Sequence, residues 1–105
     1  GIKATPYLLP YSSAKAGVAM FSRSLALEWG RFGINVNAIA PGLYPTPLLQ
    51  EAMDEKQIDR ALKDLPIRRL GDPREVALLA VYLASDAANY ITGQVIAIDG
   101  GGTAR

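Results

Sequence analysis

A long apolar segment at residues 12–29 most limits how this chain can fold. Apolar side chains occupy more of its helical positions than the single stripe of a surface helix requires. Serines at its start can accept hydrogen bonds from unpaired amides, and Gly30 and Gly33 supply a stop. We therefore predict a helix from about Ser12 to Trp29. Because its apolar surface is so wide, it should be buried on two sides, against its own sheet and against another subunit.

Two further segments, 34–40 and 94–99, have the apolar, β-branched composition of strands. Pro41-Gly42 ends the first of them. Helices are predicted between the two strands, and each has its own signal: a Thr-Pro start at Thr46-Pro47, an amphipathic stripe over 54–65, and a capping box at 72–75 that opens a helix to about Ala84.

Strands that alternate with helices run parallel and are joined by crossover helices. A parallel sheet is buried on both faces, and two strands do not supply the neighbours that such burial needs. The nearly all-apolar stretch 76–84 indicates a buried helix, and Trp29 and Tyr82 are assigned to the core. The predicted fold class is therefore α/β, with a parallel sheet that is incomplete as a domain. The first residues, without an initiator methionine or a signal-peptide core, indicate an interior segment.

The amino-acid composition limits the kinds of catalytic and binding site that the chain can form. The chain has no cysteine and no histidine, which removes Ser-His and Cys-His nucleophiles and the usual zinc sites from what it can build unaided. A formal net charge of +1, with no basic cluster beyond Arg68-Arg69, argues against nucleic-acid binding. The longest apolar run is too short to span a bilayer, so no membrane association is predicted. The lack of cysteine fits a reducing compartment, and we predict a cytoplasmic location.

Tyr11 and Lys15 lie four residues apart and therefore on one face of the predicted helix. A free tyrosine titrates near pH ~10, and an adjacent cation lowers that pKa by roughly 1–3 units because it stabilises the phenolate. The pair is thus a candidate acid/base device. A half-buried tyrosine beside a solvated lysine is the alternative, and the spacing alone does not separate the two.

Further motifs follow this pair in a fixed order along the chain: Gly33-Ile-Asn-Val-Asn-Ala-Ile-Ala-Pro-Gly42, Arg69-Leu-Gly-Asp-Pro73, Ile91-Thr-Gly-Gln-Val95 and Asp99-Gly-Gly101. Together they resemble the C-terminal half of the short-chain dehydrogenases/reductases, closest to the 3-oxoacyl-acyl-carrier-protein reductases. The resemblance covers essentially all 105 residues. It implies that residues 1–105 are the C-terminal portion of a single Rossmann-type, doubly wound NAD(P)-binding domain. These residues would supply its last two strands with their crossover helices, and five strands would precede them.

The resemblance also implies an activity, the interconversion of an alcohol and a ketone or aldehyde by hydride transfer with NAD or NADP. Tyr11 would be the catalytic acid/base. Lys15 would lower the Tyr11 pKa and hydrogen-bond the nicotinamide ribose, which suits a cationic head with three donors on a long stem. The family's glycine-rich turn and its catalytic Ser and Asn would lie upstream of Gly1.

Pro41 to Thr46 matches the family's loop beside the nicotinamide, and ligands of open α/β sheets lie outside the carboxyl ends of the strands. Gly42 permits close backbone approach, and the Tyr44 amide can bond the carboxamide. Thr46 can offer its hydroxyl and a helix N-terminus to a phosphate. Pro41 belongs to the same cofactor-binding set. The alternative is a simple turn and cap, which a Thr-Pro pair needs no cofactor to explain.

Residues 43–70 resemble the family's substrate lid, whose apolar side chains, such as Leu48 and Met53, could close over a substrate. A plain surface helical hairpin is the alternative. The implied partners are a small-molecule alcohol or carbonyl substrate and further copies of the chain, as a dimer or tetramer. Two rival functions remain open. One is a catalytically inactive fragment that folds only by self-association or within a larger assembly, and the other is an epimerase or dehydratase on the same framework.

Overall fold

The computed structural model of the protein describes the backbone from Leu9 to Ala104 and the side chains from Ala16 to Ala104. Four α-helices and two short strands follow one another in these residues. In chain order they are α1 (Leu9–Trp29), β1 (Ala38–Pro41), α2 (Pro47–Ala52), α3 (Glu55–Lys63), α4 (Pro73–Leu83) and β2 (Val95–Ile98). Short 3₁₀ turns follow α1 at Gly30–Phe32 and α4 at Asp86–Ala88.

The two strands pair in parallel, with Ala38 opposite Val95 and Pro41 opposite Ile98. The helices α2, α3 and α4 form the connection between them, so the predicted α/β class with a parallel pair and crossover helices is confirmed. The first strand is shorter than predicted, because residues 34–37 lie outside the ladder. There the side chains of Asn35 and Asn37 donate to the carbonyls of Asn89 and Ile91, at 2.9 and 3.0 Å.

Helix α1 begins at Leu9, about one turn earlier than predicted. Pro10 therefore lies in its first turn, where a missing N–H breaks no helical hydrogen bond. The expected serine cap is wrong, since Ser12 lies inside the helix. The predicted stop is confirmed, because α1 passes into the 3₁₀ turn and Gly33 then donates its N–H to the Gly30 carbonyl at 3.0 Å.

The other three helices begin at side-chain caps, of which those at Thr46 and Asp72 were predicted. Thr46 caps α2 with Pro47 in its first turn, and Asp54 caps α3. Asp72 caps α4 in the predicted capping box with Glu75. Each cap satisfies amide donors that no helical carbonyl can reach.

The core of the described residues is thin. Its buried apolar side chains are Ala26, Tyr44, Leu65 and Ala88. Trp29 is 40% exposed and Tyr82 is 47% exposed, so their assignment to the core is wrong for this chain, and α4 contains no buried residue. The reason is that a two-stranded sheet offers these helices too little surface to pack against. None of the helices in residues 9–104 is long and apolar enough to cross a membrane.

Candidate functional site

The first candidate residues, Tyr11 and Lys15, both lie in α1, one turn apart along its backbone. Their side chains fall outside the described residues. The proposed contact between phenol and ammonium, and its effect on the Tyr11 pKa, therefore stay predictions.

The second group of candidates lies at the carboxyl end of β1, in residues 42–46, which we call the strand-end loop. The Gly42 N–H continues the ladder by donating to the Ile98 carbonyl at 3.3 Å. A Cβ at Gly42 would lie 2.8 Å from the Asp99 Cα, so a side chain here would collide with the chain leaving β2. Within the chain, the close approach of the two strand ends thus requires a glycine at position 42. Pro41, the last residue of β1, is exposed beside it.

Tyr44 anchors the strand-end loop from within. Its side chain is 8% exposed, and its hydroxyl donates to the Ile98 carbonyl at 2.8 Å. Its ring lies so close over Gly71 that a Cβ there would overlap it. Sequence reasoning used only the Tyr44 amide and missed this side chain. The chain offered no local signal for it, because Ile98 and Gly71 are 54 and 27 residues away in sequence.

Burial raises the pKa of the Tyr44 phenol, and the nearby Glu75 and Asp99 carboxylates raise it further, whereas Arg69 opposes them. The hydroxyl is therefore a proton-bearing donor throughout the neutral range. This fits its role in the structure, where it donates to a carbonyl oxygen.

Two backbone donors of the strand-end loop stay available. The N–H groups of Leu43 and Tyr44 have no acceptor within the described part of the chain. Their carbonyls are already used, since Leu43 accepts from the Gly71 N–H at 2.9 Å and Tyr44 from the Thr46 N–H at 2.8 Å. The loop is thus held firmly in place while it presents two adjacent donors at the carboxyl ends of the parallel strands.

The Thr46 side chain accepts a hydrogen bond from the Leu49 N–H at 3.2 Å, as an N-cap does. The turn-and-cap role is therefore confirmed. The hydroxyl hydrogen remains for another acceptor, and a phosphate contact stays a prediction. Thr46 itself is exposed.

A cavity of about 230 Å³ lies beside the strand-end loop, between it and the chain that follows β2. An ion pair crosses its rim, in which both terminal nitrogens of Arg69 bond the Glu75 carboxylate at 2.9 and 3.1 Å. The hydrogen bond and charge of this pair lower the pKa of Glu75 and raise that of Arg69. Opposite them, the Asp99 carboxylate accepts from the Thr103 hydroxyl and from the Gly101 and Thr103 backbone amides, and so orders the chain after β2.

Residues 43–70 comprise most of the strand-end loop, α2, α3 and residues 64–70, which we call the return segment. Leu48 is exposed on α2, and Leu65 is buried at the base. The Ile67 N–H donates to the Gly100 carbonyl at 3.0 Å, so the return segment is fixed to the chain after β2. The base of the candidate lid is thus tied down. Within the described residues, no group of three or more carboxylates could hold a metal ion.

Known proteins resemble both the sequence and the fold. A family model described as enoyl-(acyl carrier protein) reductase matches residues 1–103. A 3-oxoacyl-acyl-carrier-protein reductase from Chlamydia trachomatis is 43% identical over 101 residues, which cover 96% of this chain and 40% of that protein. A short chain dehydrogenase family protein from Francisella tularensis has a TM-score of 0.88 at 32% identity, over 97% of this chain and 46% of that one.

An actinorhodin polyketide ketoreductase structure with NADPH has a TM-score of 0.86 at 35% identity, over 94% of this chain and 42% of that one. The chain therefore spans less than half the length of these relatives. Its two strands correspond to part of their larger fold, which accounts for the sheet being incomplete as a domain.

Proposed function

The chain belongs to the short-chain dehydrogenase/reductase family, and we propose that the whole protein is an NAD(P)-dependent oxidoreductase that interconverts an alcohol and a ketone or aldehyde. In this proposal residues 1–105 form the C-terminal portion of its single nucleotide-binding domain. The substrate class includes the 3-oxoacyl compounds named for the Chlamydia trachomatis relative.

The observation that carries this proposal is the strand-end loop. It lies at the carboxyl ends of parallel strands, where ligands of open α/β sheets bind. It is anchored by the Tyr44 side chain and Leu43 carbonyl, and it presents the Leu43 and Tyr44 N–H groups, which have no acceptor among the described residues. The carbonyl oxygen of a nicotinamide carboxamide is an acceptor that fits such a pair of donors. Pro41 and Gly42 bring the loop to this edge, and Thr46 would contribute its remaining hydroxyl hydrogen.

The bound nucleotide would supply or accept the hydride. Tyr11 would donate its phenolic proton to the substrate oxygen during reduction and take a proton from the alcohol during oxidation. Lys15, one turn along α1, would stabilise the phenolate by its charge and donate to the ribose hydroxyls. Residues 43–70 would close over the substrate, which the exposed apolar side chain of Leu48 supports.

The apolar surface of α1 is wider than the single stripe that packing on one sheet requires, which supports a homo-oligomer of the whole protein, a dimer or a tetramer. A net charge of +1 supports small-molecule partners rather than nucleic acids. The cysteine-free composition supports a cytoplasmic location.

The test is Tyr11→Phe in the whole protein, assayed for NAD(P)H oxidation with carbonyl substrates. Turnover should fall by roughly 10²–10⁴-fold, because general acid/base catalysis contributes about that much. Nucleotide affinity should stay within a few-fold, since the lost hydroxyl makes at most one nucleotide contact. Tyr90→Phe is the matched control, because Tyr90 is fully exposed and distant in sequence from the site.

Wild-type turnover in Tyr11→Phe would refute the assignment of Tyr11 as the acid/base. The rival activities separate in the same assay. An epimerase or dehydratase on this framework would convert its substrate without net loss of NAD(P)H, and that result would refute the oxidoreductase itself.

A further inference from the structure

Tyr44 has a side chain that the proposed nucleotide contact does not require. A backbone N–H can be supplied by any residue other than proline. Yet Tyr44 is the one aromatic side chain buried in the described residues, in a core otherwise made of two alanines and a leucine. A phenol in this position therefore calls for its own explanation.

We propose that the Tyr44 side chain is a positioning residue that fixes the direction of its own backbone N–H toward the nicotinamide carboxamide. This inference rests on the proposed function, because it needs a nicotinamide nucleotide in the site. The side chain itself would not touch the nucleotide and would act only through the backbone that it holds.

Three contacts hold the residue from different directions. The hydroxyl donates to the Ile98 carbonyl on β2 at 2.8 Å. The ring lies against Gly71, where any larger residue would displace it. The neighbouring Leu43 carbonyl accepts from the Gly71 N–H at 2.9 Å, so the loop and the Gly71 segment are tied twice. With the side chain anchored at its far end and the backbone anchored one residue earlier, little rotation is left to the Tyr44 peptide group.

The Ile98 carbonyl would not be left without a donor if the phenol were removed. The Gly42 N–H also donates to it, at 3.3 Å. A buried acceptor that loses its last hydrogen-bond partner costs stability, but the Ile98 carbonyl would keep the Gly42 N–H. Loss of the Tyr44 hydroxyl should therefore affect the position of the loop more than the stability of the protein. Structural and positioning roles therefore predict different results.

The hydrogen bond from the Tyr44 hydroxyl to the Ile98 carbonyl also persists across the working pH range. Glu75 on α4, Arg69 in the return segment and Asp99 after β2 are the charged groups that act on the phenol. Burial and the two carboxylates outweigh the arginine and raise the pKa of Tyr44. The hydroxyl thus keeps the proton with which it donates to the carbonyl.

The experiment is Tyr44→Phe in the whole protein, with two ligands titrated in parallel. One is the nicotinamide dinucleotide that the protein uses, and the other is the corresponding ADP-ribose, which lacks the nicotinamide ring. Affinity for the dinucleotide should fall roughly three- to tenfold, the worth of about one neutral hydrogen bond. Affinity for the ADP-ribose should change by less than about twofold. Tyr90→Phe, which removes an exposed phenol, should leave both affinities unchanged.

Gly71→Ala is a second variant that keeps the hydroxyl but displaces the ring, and it should show the same selective loss. Equal weakening of both ligands in either variant would overturn the proposal in favour of a purely structural role. Unchanged dinucleotide affinity in Tyr44→Phe would overturn it as well. If the wild-type protein binds neither ligand, the proposed function itself fails, which is a different result from a wild type that binds and a variant that does not discriminate.

Discussion

At the scale of single residues, one lysine carries two proposed tasks. Lys15 lies one helical turn from Tyr11 in α1, and its ammonium would serve both the phenolate and the ribose hydroxyls. An uncharged residue of similar length removes both interactions while keeping the apolar stem. Substitution at this position therefore separates a catalytic lysine from a solvated one.

We expect Lys15→Met in the whole protein to weaken nucleotide binding and to slow turnover together. In the proposed mechanism alcohol oxidation needs the Tyr11 phenolate, and a nearby cation lowers the pKa of a phenol. Removing the charge should therefore move the alkaline rise of the oxidation rate to higher pH. Initial rates measured against pH, together with nucleotide titration, test both effects.

Lys56→Met is the matched control, because Lys56 is an exposed residue of α3. It should change neither quantity. Unchanged affinity together with an unchanged pH profile in Lys15→Met would make Lys15 an ordinary surface residue.

Residue types and local spacing predicted where the loop lies but not how it is held. Pro41-Gly42 at the end of β1 and the Thr46 cap could be recognised from neighbouring residues alone. The phenol contact from Tyr44 to Ile98 joins residues 54 positions apart. Such a contact exists only once the two strands have paired, so no window of the sequence contains it.

At the scale of elements, the N-terminus of α4 depends on ionised side chains. A hydrogen bond from Arg74 lowers the pKa of Asp72, and a hydrogen bond from Arg69 lowers that of Glu75. A carboxylate whose pKa is lower in the folded protein contributes its full stabilisation above its unfolded pKa. That contribution is lost as the pH falls through the lowered, folded values.

The whole protein should therefore lose thermal stability as the pH falls below about 4.5, the ordinary pKa of a glutamate. Glu75→Gln should reduce this dependence, because glutamine can still complete the capping box but carries no charge. The test is to measure the melting temperatures of the wild-type protein and of Glu75→Gln between pH 7 and pH 3. Glu51→Gln, at an exposed position on α2, should leave the wild-type dependence in place, and identical curves for all three proteins would contradict the assignment.

The caps at Thr46 and Asp72 were predictable because each signal spans at most four residues. The bounds of β1 and α1 could not be predicted in this way, because they depend on contacts with residues distant in sequence or on weak local preferences. Residues 34–37 leave the ladder because Asn35 and Asn37 bond the chain before β2 through their side chains. The burial of α4 was predicted from its composition, yet burial also requires a partner surface that these residues do not contain.

At the scale of the whole molecule, the described chain leaves much apolar surface uncovered. The large apolar side chains exposed on the two longest helices are Val18, Met20, Phe21, Leu27 and Trp29 on α1 and Leu78, Val81 and Tyr82 on α4. Leu27 alone is 87% exposed. The Cα radius of gyration is 15.4 Å, against about 13 Å for a compact domain of roughly 100 residues. The helices thus pack on too little sheet to form a closed core.

The 105-residue chain expressed alone should therefore neither turn over NAD(P)H nor form a stable monomer. Each large apolar side chain left in water forfeits roughly 1.5–3 kcal/mol, whereas the net stability of a domain is only about 5–15 kcal/mol. The eight such side chains on α1 and α4 are enough to cancel it. Self-association would cover these faces, since apolar surfaces and unpaired strand edges both favour it. Sedimentation of the isolated chain should show oligomers or an unfolded species. A compact monomer that melts cooperatively at micromolar concentration would show that the small core around Tyr44 and Leu65 suffices.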